Sequence, residues 1–438
     1  MLLFFAGLLI LVLGYRYYGR FIERVIGPDN RETPARTHHD GVDFVEMPLW
    51  KNMLIQLLNI AGVGPVIGVI LGIKFGAVAF LIIPIGNIIG GAVHDFIAGM
   101  MSLRHKGANL PALIRMTLGT GYYHVFSWFM IVLLLLVVAV FINIPASLIA
   151  GNASPAGFWF AVVAIFLYYI IATLFPVDQI IGKIYPLFGA LLLLGTMAIF
   201  LALLWAGIRQ PSLFTASDAF KANMIKAPVI PVLFVTIACG IISGFHATQS
   251  PIIARTIKSE HHGYHSFYGM MVVEGIIAMV WAAAGMLIYN IFPQLMSKNA
   301  SFVLTEITRY FLGSWIGMFT IVGVIILAIT SGDTAMRSLR LTLAEMFHIE
   351  QRSFSKRIYI VMPLIVVVVL LLWWSNSSAA SFAQLWNYFA WGNQVLAAST
   401  LFGASVWLLS LRKNWLVTIV PGMFMAFIVI SYILWISP

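Results

Sequence analysis

Charge is what this sequence has least of: 9% of its 438 residues are Asp, Glu, Lys or Arg, while 61% are apolar. Soluble domains carry roughly a quarter charged residues. A water-soluble fold has no place for this much apolar surface, so the implied solvent is a bilayer. Cysteine is nearly absent too. Cys239 stands alone in an apolar run, which excludes an intrachain disulfide and leaves no thiolate metal site. No GxxxxGK[ST] stretch occurs, so ATP-driven pumping has no visible engine. The opening stretch Met1 to Leu13 lacks a basic flank and a small-residue cleavage site, and it reads as a retained helix rather than a signal peptide. No catalytic constellation stands out, and the chain does not read as an enzyme.

What is present is a series of apolar runs of about twenty residues, the length of a spanning helix; barrel strands would alternate over roughly ten. The mean hydropathy is +0.98. The pattern predicts an all-α polytopic membrane protein with about twelve helices, near 2–15, 52–72, 76–102, 124–143, 156–175, 185–207, 228–248, 266–290, 310–331, 358–374, 384–410 and 415–436. The net charge of +10 is topological rather than a nucleic-acid footprint. Nineteen of the 25 Lys and Arg fall on one side of the alternating inter-helix segments, including Arg16 to Lys51, Arg104 to Arg115 and Arg337 to Arg357. This positive-inside bias predicts that both termini face outward and that the basic side meets membrane lipids.

Two predicted helices break their own rule. The second contains Ala61-Gly62-Val63-Gly64-Pro65, and the seventh contains Ser243-Gly244-Phe245-His246-Ala247-Thr248-Gln249-Ser250-Pro251. Gly and Pro expose or remove backbone hydrogen bonds, which a membrane tolerates only against protein or a water-filled cavity. The breaks stand five helices apart, and a five-helix repeat inverts its second copy. Paired breaks of this kind point to the binding site of a secondary transporter. The reading is one transmembrane domain over 1–438, with inverted repeats at 52–207 and 228–410 and peripheral helices at 2–15 and 415–436. Gly62, Gly64, Pro65, Ser243, Gly244, His246, Thr248 and Gln249 are the candidate substrate-binding residues at the breaks. Asn393 and Gln394 in the eleventh helix join them, as paired amides flanked by aromatics. An ordinary proline kink and an interfacial aromatic belt are the plainer readings of these two features.

Intramembrane carboxylates are expensive and each needs a reason. Asp95 and Glu274 sit well inside the third and eighth helices, so they are candidates for proton coupling, with His94 placed to share a proton with Asp95. Thr330, Ser331 and Asp333 close the ninth predicted helix. Their oxygens, facing carbonyls around Ala61 to Gly64, would suit Na⁺, although such hydroxyls also bond back to their own helix. The polar stretch Asp333 to Arg357 fits either a surface helix or an extension of the ninth span. His38-His39-Asp40 has the residue types of a metal cluster, but a chance loop is the plainer reading.

Several of these motifs carry a resemblance. Gly244-Phe245-His246-Ala247-Thr248-Gln249-Ser250-Pro251, Ala254-Arg255, Phe267-Tyr268-Gly269-Met270-Met271 and Glu274-Gly275 resemble the carbon starvation protein A (CstA) family. So do Gly14-Tyr15-Arg16, Asp40-Gly41-Val42-Asp43, Ala61 to Pro65, Gly91-Ala92-Val93-His94-Asp95-Phe96, Thr330-Ser331-Gly332-Asp333-Thr334-Ala335 and Asn393-Gln394. The matches run from residue 14 to about 397. The resemblance implies a carrier of the bacterial inner membrane with the inverted five-helix-repeat fold. It implies uptake of short peptides or, in one branch, pyruvate. The sequence departs from the family where a His pair precedes the helix-2 break; here Ile55 and Gln56 stand, with Asn59 nearby. The expectation is a secondary active importer of short peptides coupled to H⁺ or Na⁺, with no other cofactor. A pyruvate symporter is the nearest alternative and a starvation sensor without flux a more distant one. Nothing in the sequence fixes an oligomeric state.

Overall fold

A bilayer offers the backbone no water partner, so intrahelical hydrogen bonds must satisfy it. The computed structural model describes residues 2–151, 155–175, 177–209, 227–351 and 353–436, and every regular element among them is helical. Lys221, Lys226 and Arg352, three of the basic residues in the charge count, lie outside the described residues.

Nine helices among the described residues are long and apolar enough to cross a membrane, or ten if one bent pair counts as a span. In chain order the elements used below are α1 (Leu2–Ile26), α2 and α3 (the bent pair Leu49–Ile60 and Gly64–Phe75), α4 (Ala79–Arg104), α5 (Thr120–Ala150), α6 (Pro155–Leu174) and α7 (Val177–Arg209). They continue with α8 (Ala238–Ile241), α9 (Gly244–Ala254), α10 (Glu260–Ile291), α11 (Ala300–Met346), α12 (Phe354–Ser375), α13 (Ala379–Ser410) and α14 (Leu416–Ile436). Two expected spans are not among the ten. The stretch expected near 228–248 is divided into short helical pieces, and α13 carries Asn393 and Gln394 at its middle.

The helix-2 break forms as expected. α2 and α3 meet at a 54° bend. The Gly62 N–H turns back to the Ile60 carbonyl at 2.7 Å, and Pro65 sits in the first turn of α3, where no N–H is needed. The helix-7 break falls at the leading edge of the expected stretch. Ile242 and Ser243 are extended (ψ 121° and 125°) and separate α8 from α9, while Gly244 through Pro251 are helical. Pro251 falls at a position the helix absorbs, so it does not end the segment.

The ninth predicted span is also revised. α11 runs unbroken past Asp333 to Met346, with its one non-helical residue at Gly313 (φ 71°). Met336, Arg337, Leu339 and Arg340 are all buried, which rules out a surface helix there. Burial of two arginines is possible because Asp43 reaches in from the first loop, 3.2 Å from Arg337 and 3.6 Å from Arg340. At the centre lies α10, 83% buried over its most apolar window against 22% for α1. The half-helix α9 packs on α2, on the second half of α4 and on α13.

Candidate substrate and coupling site at two broken helices

Ending a helix frees its last carbonyls. At the helix-2 break the Leu58 carbonyl loses the Gly62 N–H, and α11 supplies the replacement. The Ser331 hydroxyl donates to it at 2.9 Å and that of Thr330 at 3.4 Å. Thr330 also bonds back to Leu327 at 2.9 Å. The close approach needs Gly62: a Cβ there would stand 2.8 Å from the Phe141 ring tip and 3.3 Å from Ser331 Oγ. The expected meeting of Thr330 and Ser331 with the helix-2 break therefore occurs. Asp333 lies apart from it, accepting a hydrogen bond from Tyr168 at 2.7 Å.

At the second break the exposed groups are N–H donors at the start of α9. The Asn393 side-chain oxygen accepts from the Phe245 N–H at 3.0 Å and from the Ser243 hydroxyl at 3.1 Å. A residue on another helix thus does the work of an N-cap side chain. Gly244 permits this docking, since a Cβ there would run into Leu396 and the backbone of Asn393 and Ala397. Thr248 and Gln249 face α11: Gln249 Nε2 donates to Thr248 Oγ1 at 2.8 Å and to Ser338 Oγ at 3.3 Å. The two broken helices also touch, α8 lying on the first turn of α3 around Gly64 and Pro65.

Between the breaks the buried ionisable groups gather. His246 Nδ1 lies 3.1 Å from Asp95 Oδ2, and its Nε2 lies 3.9 Å from Glu274 Oε2. His94 Nδ1 lies 2.8 Å from the other Asp95 oxygen. Asp95, His246 and Glu274 come from α4, α9 and α10, and all four groups are at most 1% exposed. An imidazole held between two carboxylates can take a proton at one nitrogen and release it at the other. Neither Glu274 oxygen nor His246 Nε2 has a protein hydrogen-bond partner.

The same holds for both amide atoms of Gln56 and of Asn59, which are fully buried on α2. Asn52, Gln56 and Asn59 recur at i, i+4 and i+7 and so share one face of the helix. Asn52 marks where that face points: it donates to the Thr256 carbonyl at 3.2 Å and accepts from the Thr256 hydroxyl at 2.6 Å, just past the end of α9. A buried polar group left unpaired costs about 1–3 kcal/mol. Gln56, Asn59, Glu274 and His246 Nε2 thus gather donors and acceptors that the protein itself does not pair. Nearby, Phe141, whose ring tip lies against Gly62, meets Phe245 and Phe389 edge-on with ring centroids 5.9 and 5.8 Å away.

Of the residues singled out from sequence, Asp95, Glu274 and His246 meet in one cluster, so His246 belongs with the ionisable groups as well as the break. Asn393 serves the α9 terminus. Gln394, its neighbour, instead lines a lateral cavity against α4, α8 and α14. Gln56 and Asn59 stand out from sequence only as the departure from the family's His pair before the helix-2 break, and Phe141 carries no sequence signal. The Asp40 carboxylate is occupied by the backbone N–H groups of Val42, Asp43 and Phe44 at 2.8–3.0 Å. Among the described residues no group of three or more His, Cys, Asp or Glu is placed to hold a metal.

The family model of carbon starvation protein CstA matches residues 1–176, 159–310 and 294–432. The chain belongs to the CstA family. An uncharacterized membrane protein of Haemophilus influenzae is 41% identical over 343 residues, 66% of this chain and 92% of that protein. The peptide transporter CstA of Campylobacter jejuni is 29% identical over 63% of this chain. The pyruvate/proton symporter BtsT of Escherichia coli is 24% identical over 65%. The chain covers 48% of each of these two longer CstA relatives. Among solved structures, MhsT in complex with L-phenylalanine matches with TM-score 0.58 and 14% identity, covering 88% of this chain and 99% of that one. A manganese transporter of Eremococcus coleocola matches at 0.52 and 16%, covering 89% and 88%. At such identities the likeness is one of fold: this CstA chain shares the polytopic all-helical architecture of those proteins.

Proposed function

We propose that this chain is a secondary active importer of short peptides across the bacterial inner membrane, driven by protons. The observation that carries the reading is His246, held between Asp95 and Glu274 where the two broken helices meet. A single proton entering or leaving that cluster changes its net charge and so changes the forces holding α9 against α4 and α10. Peptide amides would find complementary donors and acceptors in Gln56 and Asn59, and the three phenylalanines would close over an apolar side chain. Alternating access would rock one bundle, the paired broken helices and their partners, against the rest of a chain built as inverted repeats over 52–207 and 228–410. The matching placement of the carboxylates supports that division: Asp95 follows a π-helical turn at Asn87–Gly91, and Glu274 follows one at Tyr264–Gly269.

Two further readings rest on observations of their own. Ser331 and Thr330 on the Leu58 carbonyl would support Na⁺ as the coupling ion. Pyruvate transport is named for one CstA relative. A monocarboxylate substrate would need a donor, either a helix N-terminus at a break or a cation such as Arg255, and Arg255 is committed to the Gly107 carbonyl at 2.8 Å and to Asn109 at 3.0 Å. Proteoliposomes given labelled dipeptide or labelled pyruvate under separate H⁺ and Na⁺ gradients test the proposal. Dipeptide accumulation under an inward H⁺ gradient is expected. Accumulation of pyruvate alone, or of dipeptide under Na⁺ alone, would overturn it.

A further inference from the structure

Gln394 poses a problem that the central site does not solve. Its side chain is fully buried, and neither amide atom has a protein partner. It lines a cavity of about 360 Å³ whose other walls are apolar: Leu81 to Gly90 of α4, Phe234, Ile241 and Ile242 before the second break, and Val420 to Met425 of α14. That size lies within the ~300–1,000 Å³ usual for small-molecule sites, which combine apolar walls with a few placed polar groups. No charged residue lines it. Its rim residues Ile85, Ile89, Phe424 and Val420 are 39–60% exposed. They lie on spanning helices, so the mouth opens toward lipid.

We propose that this cavity is a binding site for a single-chain amphiphile taken from the bilayer, one with an uncharged head that both donates and accepts a hydrogen bond. The walls fix the body of the ligand: apolar chain only. Gln394 fixes the head, because an amide presents a carbonyl acceptor and an NH₂ donor side by side. A charged head would be stranded against apolar walls without a counter-ion. The site is separate from the His246 cluster but adjoins the second break. Ile241 and Ile242 are its wall, and Gln394 follows Asn393, which caps α9. A bound amphiphile therefore braces the hinge between α8 and α9.

The test uses the full chain in phosphatidylcholine nanodiscs and a long-chain alcohol carrying a diazirine. Photolysis should label peptides containing Val420–Met425 and Phe234–Ile242. Unlabelled long-chain alcohol should compete, whereas the corresponding alkane and the quaternary ammonium analogue should not. Gln394→Leu should weaken competition by about five- to tenfold, the loss of one to two hydrogen bonds. Gly90→Leu should abolish labelling by filling the cavity, since a Cβ at Gly90 meets only Ile242 Cδ1, at an ordinary 3.6 Å. Labelling spread evenly over the lipid-facing helices and unchanged in both variants would mean annular lipid only. Labelling lost in Gly90→Leu but unchanged in Gln394→Leu would refute the recognition of the head. Neither readout depends on transport, so the proposal stands or falls apart from the substrate assignment.

Discussion

Gly244→Ala adds one methyl group where α9 meets the backbone of α13. The new Cβ would lie 2.5 Å from Ala397 N and from the Asn393 carbonyl oxygen. Non-bonded atoms rest at roughly 3.5–4.0 Å, so the helices must part by about 1 Å. Overpacking of this kind costs about 1–3 kcal/mol. The same movement stretches the 3.0 Å bond from the Phe245 N–H to Asn393 beyond useful range, and a buried orphan N–H adds about 1–3 kcal/mol. The sum, roughly 2–6 kcal/mol, is a large part of ordinary folding stability. Gly244, a candidate substrate-binding residue by its place at the break, is also where α9 packs most closely on α13. Gly90→Ala is the matched control, because its methyl group finds room. Heating in detergent followed by size-exclusion chromatography should show Gly244→Ala losing its monodisperse peak several degrees below wild type, with Gly90→Ala unchanged. Equal melting of all three proteins would refute the seating of α9 on α13.

Asp43→Asn leaves Arg337 and Arg340 buried without their counter-ion, a loss of about 3–5 kcal/mol by analogy with broken buried pairs, readable as lowered thermal stability. Burial alone would raise the Asp43 carboxyl, but Arg340, Arg337 and Arg255 outweigh it and hold it below the usual 3.8. A depressed carboxyl contributes stability above its unfolded value and loses it as pH falls through the folded one. Its share should therefore be constant from pH 5 to 8 and vanish only below about 3.8; a variant difference that disappears near neutrality would contradict this. Thr330→Val with Ser331→Ala removes both donors to the Leu58 carbonyl. If Na⁺ couples transport, apparent Na⁺ affinity should fall by about one to two orders of magnitude, roughly 1.4–2.8 kcal/mol; unchanged Na⁺ dependence would exclude these hydroxyls as ligands. The charge bias predicts both termini outside, so a C-terminal cysteine tag should be labelled by an impermeant reagent on intact cells, and labelling only after permeabilisation would reverse the orientation.

The features legible in the sequence were those whose physics is local or whose rarity is informative. Gly62, Gly64 and Pro65 disrupt a helix wherever they stand, and the bend appears at that point. Asp95 and Glu274 are conspicuous because carboxylates are scarce in apolar spans. The second break falls at the very start of the marked stretch, at Ile242 and Ser243 rather than at Pro251, and Asn393 reaching across from α13 holds the Ser243 hydroxyl and the Phe245 N–H there. Of the two readings left open for the stretch after Asp333, the extension of the ninth span holds as far as Met346, for a related reason. Arg337 and Arg340 look like solvent-facing residues until Asp43 arrives from a loop almost three hundred positions away. The joining of His246 to both carboxylates needs three helices packed in register, and no spacing along the chain encodes it. Asn393 and Gln394 are neighbours in sequence, yet they point to different sites because adjacent positions of a helix face about 100° apart.

The proposed proton relay at His246 is tested most directly by Glu274→Gln in proteoliposomes, comparing gradient-driven accumulation with exchange. One proton per substrate under a gradient of one pH unit corresponds to about 1.4 kcal/mol, or roughly tenfold accumulation. Wild type should approach that figure. Glu274→Gln keeps the shape and hydrogen-bonding capacity of the side chain but removes the titrating group. It should lose accumulation altogether while still exchanging internal for external labelled dipeptide, since exchange needs no net proton movement. Full tenfold accumulation by Glu274→Gln, and by His246→Gln beside it, would contradict proton coupling through this cluster.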